Sequence, residues 1–204
     1  MSVFITVDGP NGVGKTTLIH ALANLLRASG NDVVVLRQPS DSDLGNFARN
    51  NEQRLTGMAL AALVVADRYL QIDTAIKPNL AEGRIVLCDR YVASTLALQR
   101  LDGLPLDVLW DMNSQALVPD LSVLLIADPA IIEQRLDERG RKSRFERMDG
   151  IAAREVAYFK EAFELLRRVG YKTLEVVTTE TSPESGATEI AIHIVALGGS
   201  DVAT

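Results

Sequence analysis

Short runs of apolar, β-branched residues punctuate the chain at residues 3–7, 33–36, 85–88, 121–127 and 174–177. Each is too brief for a helix and unbroken enough to be buried on both faces, as strands of a parallel sheet are. Longer segments with helical spacing lie between them. The first spans about 15–28, with Leu18, Leu22, Leu25 and Leu26 on one face, and stops at Ser29-Gly30-Asn31. A second helical region covers roughly 43–76, breaks near Thr56-Gly57 and is closed by Pro78. Pro105 and Pro119 bracket another helix, Pro129 opens the next, and a last one is expected over about 183–197 before fraying through Gly198-Gly199-Ser200. Within the second region the run 58–66 is apolar nearly all round, which predicts burial in the core or in a dimer interface. Strands alternating with helices make βαβ units.

The first strand runs directly into Gly9-Pro10-Asn11-Gly12-Val13-Gly14-Lys15-Thr16-Thr17, a match to GxxxxGK(S/T). Glycines let successive backbone N–H groups turn inward, and the following helix offers its positive N-terminus to the same anion. In such a P-loop Lys15 reaches the β and γ phosphates and Thr16 ligates magnesium. The fold class expected is therefore α/β, a P-loop NTPase three-layer α/β/α sandwich with a five-stranded parallel sheet flanked by helices. No repeat, linker or boundary interrupts it, so one domain over 1–204 is expected.

Ligands of an open parallel sheet gather at the C-terminal ends of its strands. Those ends read Asp8, then Arg37-Gln38-Pro39, then Asp89-Arg90-Tyr91, then Asp128-Pro129. Carboxylates and arginines there suit a magnesium nucleotide and a second phosphate. Each also has a plainer reading, since an Asp can cap a helix and an Arg can pair on the surface.

The composition is that of a globular protein, 47% hydrophobic and 24% charged over 204 residues. A net charge of −6 argues against a nucleic-acid surface. Cys88, the single cysteine, lies in an apolar run, excludes an internal disulfide and suits a reducing cytoplasm. No stretch approaches the ~20 apolar residues of a membrane span. His20, His193 and Trp110 read as structural residues. Against the acidic background one basic cluster stands out, Glu138 to Arg147, with Arg139, Arg141, Lys142, Arg144 and Arg147.

These residues together resemble the thymidylate kinases. The resemblance covers nearly the whole chain and rests on the P-loop, Arg37-Gln38-Pro39 through Leu44-Gly45 to Arg49, Ala66-Asp67-Arg68, and Asp89-Arg90-Tyr91-Val92-Ala93-Ser94-Thr95. It implies an ATP- and magnesium-dependent kinase of dTMP, a homodimer, with a lid at about 138–148. By the same resemblance Arg37 and Arg90 clamp the acceptor phosphate, a task suited to the guanidinium fork. Asp8 contacts the acceptor sugar or orients the arginines, Asp89 organises magnesium, and Arg68, Ser94 and Thr95 face the acceptor. Some members carry a basic P-loop residue; Pro10, Asn11 and Val13 supply none here, which leaves the lid, through Arg144 and Arg141 before Arg139 and Arg147. A solvated helix face rich in ion pairs is the alternative for those arginines.

The chain departs from the family in the base pocket. Val64 stands where a phenylalanine usually stacks on thymine, Leu98 where a tyrosine usually nears the sugar, and Arg-Gln-Pro-Ser-Asp-Ser replaces Arg-Glu-Pro-Gly-Gly-Thr. One lost aromatic contact to a base costs ~1–3 kcal/mol. The alternatives are a kinase of the same fold acting on a different or modified nucleotide and, from another class, a nucleotide-hydrolysing switch.

Overall fold

The computed structural model describes residues 1–198. Five strands form one sheet in the order β2-β3-β1-β4-β5, every neighbouring pair parallel: β1 (Val3–Asp8), β2 (Val33–Arg37), β3 (Ile85–Asp89), β4 (Leu121–Ile126) and β5 (Thr173–Val177). Nine α-helices connect and follow them among the described residues: α1 (Lys15–Ala28), α2 (Asp43–Asn51), α3 (Gly57–Gln71), α4 (Lys77–Ala81), α5 (Val92–Leu98), α6 (Leu106–Asn113), α7 (Pro129–Arg139), α8 (Ile151–Arg168) and α9 (Pro183–Gly198). All five expected strands form, to within a residue or two at each end.

Alternation along the strands sorts the core into two halves. Val3, Ile5 and Val7 of β1 join Ile85, Leu87, Val123 and Leu125 against α1 and α9, while Phe4, Val86, Cys88 and Leu124 face the other way, against α5 and α8. Successive strand side chains point to opposite faces, so an unbroken apolar run must be covered twice. The result is the three-layer arrangement. β1 is completely buried, with Ile5 and Val7 at 0% exposure. Because β1 lies between β3 and β4, the chain leaves it over one side of the sheet and returns on the other. The loop after β1 therefore opens into the crevice of the fold.

Two expectations need correction. Pro78 does not close the second helical region: a π-helical segment, Ile72–Ile76, leads into α4, which contains Pro78 in its first turn. A proline N–H is dispensable there, since first-turn donors have no intrahelical partner anyway. The helix after Pro105 ends at Asn113, well short of Pro119, because the Asn113 side chain turns back onto Leu109 O (2.6 Å) and the chain breaks at Ser114. Within the single chain, Leu60, Ala61, Val64 and Val65 of the run 58–66 face inward, while Met58, Ala59, Ala62 and Ala66 are exposed. The last helix extends through Gly198; fraying at Gly199-Ser200 lies outside the described residues. No helix among the described residues is long and apolar enough to cross a membrane.

Candidate functional site

Residues 9–14 wrap the C-terminal end of β1. Gly9 has φ 149°, and a Cβ there would sit 2.4 Å from the Leu125 carbonyl oxygen, so only glycine lets the loop pass β4. Gly14, at φ 99°, ends the loop in the left-handed region and hands it to α1. Late segments tie the loop down. Thr178 Oγ donates to Val13 O (2.9 Å), and Glu155 of α8 accepts from Asn11 N (2.6 Å) and Asn11 Nδ2 (2.8 Å).

Lys15 is 7% exposed and donates through Nζ to the carbonyls of Gly9 (2.8 Å) and Pro10 (2.7 Å). Burial, reinforced by repulsion from Arg90, lowers its pKa to about 7, with Asp89, Glu155 and Asp8 pulling the other way. The loop thus holds a cation with neutral oxygens alone in hydrogen-bonding contact, ready for an anion. Beside it, Thr16 Oγ donates to Asp89 Oδ2 (3.1 Å). Asp89 Oδ1 is the one buried side-chain polar atom without a partner among the described residues. A hard oxygen left open next to a threonine hydroxyl fits a magnesium ion that takes most of its other ligands from phosphates and water.

A cleft of about 290 Å³ opens on one side of the loop. Arg37, Arg90, Asn11, Arg68, Thr95, Val64 and Leu98 all line it. Ser94 also borders it, so all of these predicted contacts except Asp8 meet in one place. Arg90 takes φ 72°, the left-handed region, which costs a non-glycine residue roughly 1–3 kcal/mol and marks a constrained site. Its Nη2 donates to Asn11 Oδ1 (2.7 Å) and its Nη1 to Ser94 Oγ (3.3 Å). Arg37 is exposed and ion-paired with Asp41.

Asp8 is 1% exposed and does not line the cleft. Its Oδ1 accepts from Tyr91 N (2.9 Å), Ser94 N (2.9 Å) and Ser94 Oγ (2.6 Å), at the start of α5. Burial raises its pKa while those bonds lower it. It orients the segment that carries Arg90.

Arg68 is 1% exposed and touches no carboxylate. It donates to Gln38 Oε1 (2.8 Å), Asn113 Oδ1, Tyr91 O (2.9 Å) and Thr95 Oγ (2.8 Å). Burial lowers its pKa. One of its five N–H groups is left for a ligand in the cleft. Gln38, where the family has an acid, is oriented by Gln71 (3.0 Å), which in turn donates to Arg37 O (3.0 Å).

In the basic segment, both favoured arginines are engaged on the protein. Arg144 donates to both carboxylate oxygens of Asp102 and to Glu52 O (2.9 Å), with its guanidinium 3.9 Å from the Phe145 ring centre. Arg141 donates to Glu133 (2.6 Å), Asp137 (2.8 Å) and Glu146 O (2.5 Å), and its hydrogen bonds to Asp137 and Glu133 keep it charged. Arg139 donates to buried Glu146 (2.8 Å). Ser143 and Phe145 of this segment line the cleft, and Phe145 returns an aromatic ring to a pocket that has Val64 and Leu98 elsewhere.

Glu155, Asp102 and Asn113 escape a reading of the sequence, since each is a single polar residue in a helical stretch and finds its partner far away in the chain. Ser143-Arg144-Phe145 carried a signal that was read for charge and not for the ring. On the other side of the P-loop, Val13, Gly14, Thr17, Arg135, Thr178 and Thr181 line a second cleft, of about 270 Å³. His20 and His193 are exposed, Cys88 is buried and free, and Trp110 packs edge-on with Tyr171 at 6.5 Å.

The family model described as Thymidylate kinase matches residues 7–190. A probable thymidylate kinase of Caldivirga maquilingensis is 37% identical over 169 residues, 80% of this chain and 82% of its own. The thymidylate kinase of Exiguobacterium sibiricum is 34% identical over 201 residues, covering 94% and 93%, and that of Clavibacter sepedonicus 39% identical over 155 residues, 72% of each.

Proposed function

We infer the reaction from one premise: the chain belongs to the thymidylate kinase family and is a phosphotransferase. The reaction is phosphorylation of dTMP to dTDP, with ATP as donor. The observation that carries it is the pair of clefts on either side of the P-loop, with Lys15, Thr16 and Asp89 at the loop between them. Phosphoryl transfer asks for two nucleotides held in line with their charge neutralised. ATP would lie along Gly9, Gly12 and Gly14, with its base toward Arg135 and Thr181. The acceptor phosphate would lie between Arg37 and Arg90, its base toward Arg68 and Thr95. Lys15 Nζ would leave the two carbonyls for the donor phosphates and gain a full charge as it does so.

Magnesium, held by Thr16 and Asp89, would spread the charge on the donor phosphates when bound. Asp8 holds the start of α5 so that Arg90 and Ser94 face the cleft. Residues 138–148 act as the lid of a single domain, and Phe145 and Ser143 shield the acceptor from water. The exposed apolar stripe on α3, Met58, Ala59, Ala62 and Ala66, supports a homodimer. Light scattering should then give twice the 22.2 kDa chain mass. A cytoplasmic setting agrees with the free, buried Cys88.

The test is ADP release with ATP and magnesium across dTMP, dUMP, UMP, CMP, AMP, GMP and no acceptor. Turnover is expected with dTMP above all others. ADP release independent of acceptor, or a better acceptor than dTMP, would overturn this reading.

A further inference from the structure

Glu155 is a carboxylate at 2% exposure, and both of its hydrogen bonds come from the phosphate loop. It lies in the second turn of α8, the helix that follows the lid segment. Its two oxygens each take one donor from Asn11: Oε2 the backbone N–H at 2.6 Å, Oε1 the side-chain Nδ2 at 2.8 Å. With its NH₂ committed to Glu155, the Asn11 amide has one orientation left, and Oδ1 faces Arg90 Nη2 at 2.7 Å. A carboxylate has acceptors only, so it dictates which way the amide turns. We propose that Glu155 is a positioning residue for phosphoryl transfer, setting Arg90 toward the acceptor phosphate through Asn11.

The relay joins three parts of the catalytic apparatus that share no backbone connection. Asn11 occupies a variable position of the phosphate loop, Arg90 the end of β3, and Glu155 the helix beyond the lid. Arg90 sits at φ 72°, and the other hydrogen bond of its guanidinium is the 3.3 Å one to Ser94, so Asn11 is the tighter side-chain partner. The inference rests on the reading of Arg90 as the acceptor clamp.

Reciprocal amide exchange tests it. In Glu155→Gln the new NH₂ must face a donor of Asn11. If the Asn11 side chain flips to escape, it turns its own NH₂ on Arg90. In Asn11→Asp two carboxylates face each other. In the double variant the amide introduced at position 155 accepts the backbone N–H of position 11 and donates to the carboxylate introduced there. The second oxygen of that carboxylate receives Arg90, so every bond is restored with net charge unchanged. Each single variant is expected to lower kcat/KM for dTMP by about tenfold or more, since Glu155→Gln leaves a buried donor without its acceptor and Asn11→Asp sets two carboxylates against each other. The double variant should return to within about threefold of the parent, the recovery being the coupling between paired sites.

Binding of dTMP without ATP, by calorimetry, should follow the same order, and thermal unfolding midpoints report on folding separately. Singles within twofold of the parent would overturn the proposal. So would a double variant no better than the worse single at an equal midpoint. If the parent itself shows no dTMP turnover, the family reaction fails and the relay is judged by the calorimetric series alone.

Discussion

The phosphate loop and the lid are both basic segments at the mouth of one crevice, yet the protein holds them in opposite ways. Lys15 is buried, bonded to two carbonyls and to no carboxylate, so its charge is costly in the empty protein and is relieved by a phosphate. Arg141 and Arg144 are fully served by Glu133, Asp137 and Asp102 and gain little by leaving. A cation that is underserved in the free state binds its ligand for catalysis. One that is already satisfied holds structure. On the function proposed above, the loop is built to wait for substrate, and segment 138–148 is built to hold a wall of the cleft, with Phe145 pinned in place by the arginine stacked upon it.

The largest effect that could break this contrast is on Lys15. Lys15→Ala should lower kcat by about a thousandfold or more, as expected for a lost electrostatic contact to a transferring phosphoryl, while the unfolding midpoint holds or rises because a desolvated cation is gone. Activity within tenfold of the parent would remove Lys15 from the site. Next comes Arg90→Ala, expected to raise KM for dTMP by roughly thirtyfold or more with KM for ATP little changed. Equal changes in both constants would instead place Arg90 between the two nucleotides.

Smaller, and most telling for the lid, is a pair. Arg144→Ala and Asp102→Ala should reduce kcat by the same factor, about tenfold, since each breaks one clamp. An Arg144→Ala loss above a hundredfold with Asp102→Ala near the parent would show that Arg144 swings onto the phosphates, as the resemblance first suggested.

The smallest effect is a fraction of a proton. With Lys15 lowered to about 7 in the free protein and raised by a bound phosphate, ATP binding near pH 8 should take up protons, and below about pH 6 it should take up none. Calorimetry in buffers of different ionisation enthalpy measures this directly, and identical heats would count against a lowered Lys15. The same shift makes the free protein gain stability as pH rises from about 7 toward the unfolded value of 10.5, because the unfolded chain then holds the extra proton.

The five strands, their parallel arrangement and the loop were legible in the sequence because each is written locally, whereas the order β2-β3-β1-β4-β5 is set by packing. A buried parallel strand is an apolar run, and the P-loop pattern is eight consecutive residues, 9–16. The strand-end carboxylates and arginines were legible by place, and Asp89, Arg37 and Arg90 do lie at the cleft. Asp8 was legible at its strand end; that the amides of Tyr91 and Ser94 would close on its carboxylate was not. The lid was legible as charge alone. Its partners Asp102 and Glu133 are ordinary acids in helical stretches, and nothing local says which arginine each will meet. Glu155 is the clearest case: it lies 144 residues from Asn11, and only the packing of α8 brings the two together.

That same separation bears on how the enzyme comes into being. The phosphate loop leaves the ribosome long before Glu155 and Thr178, the residues that fasten it. Its strand sits between two neighbours that are translated much later. A half-made chain would hold the nucleotide motif in full and have nothing to shape it. On that wiring the loop takes its final shape only once α8 and the segment after β5 have emerged, so competence for phosphoryl transfer is expected late in synthesis.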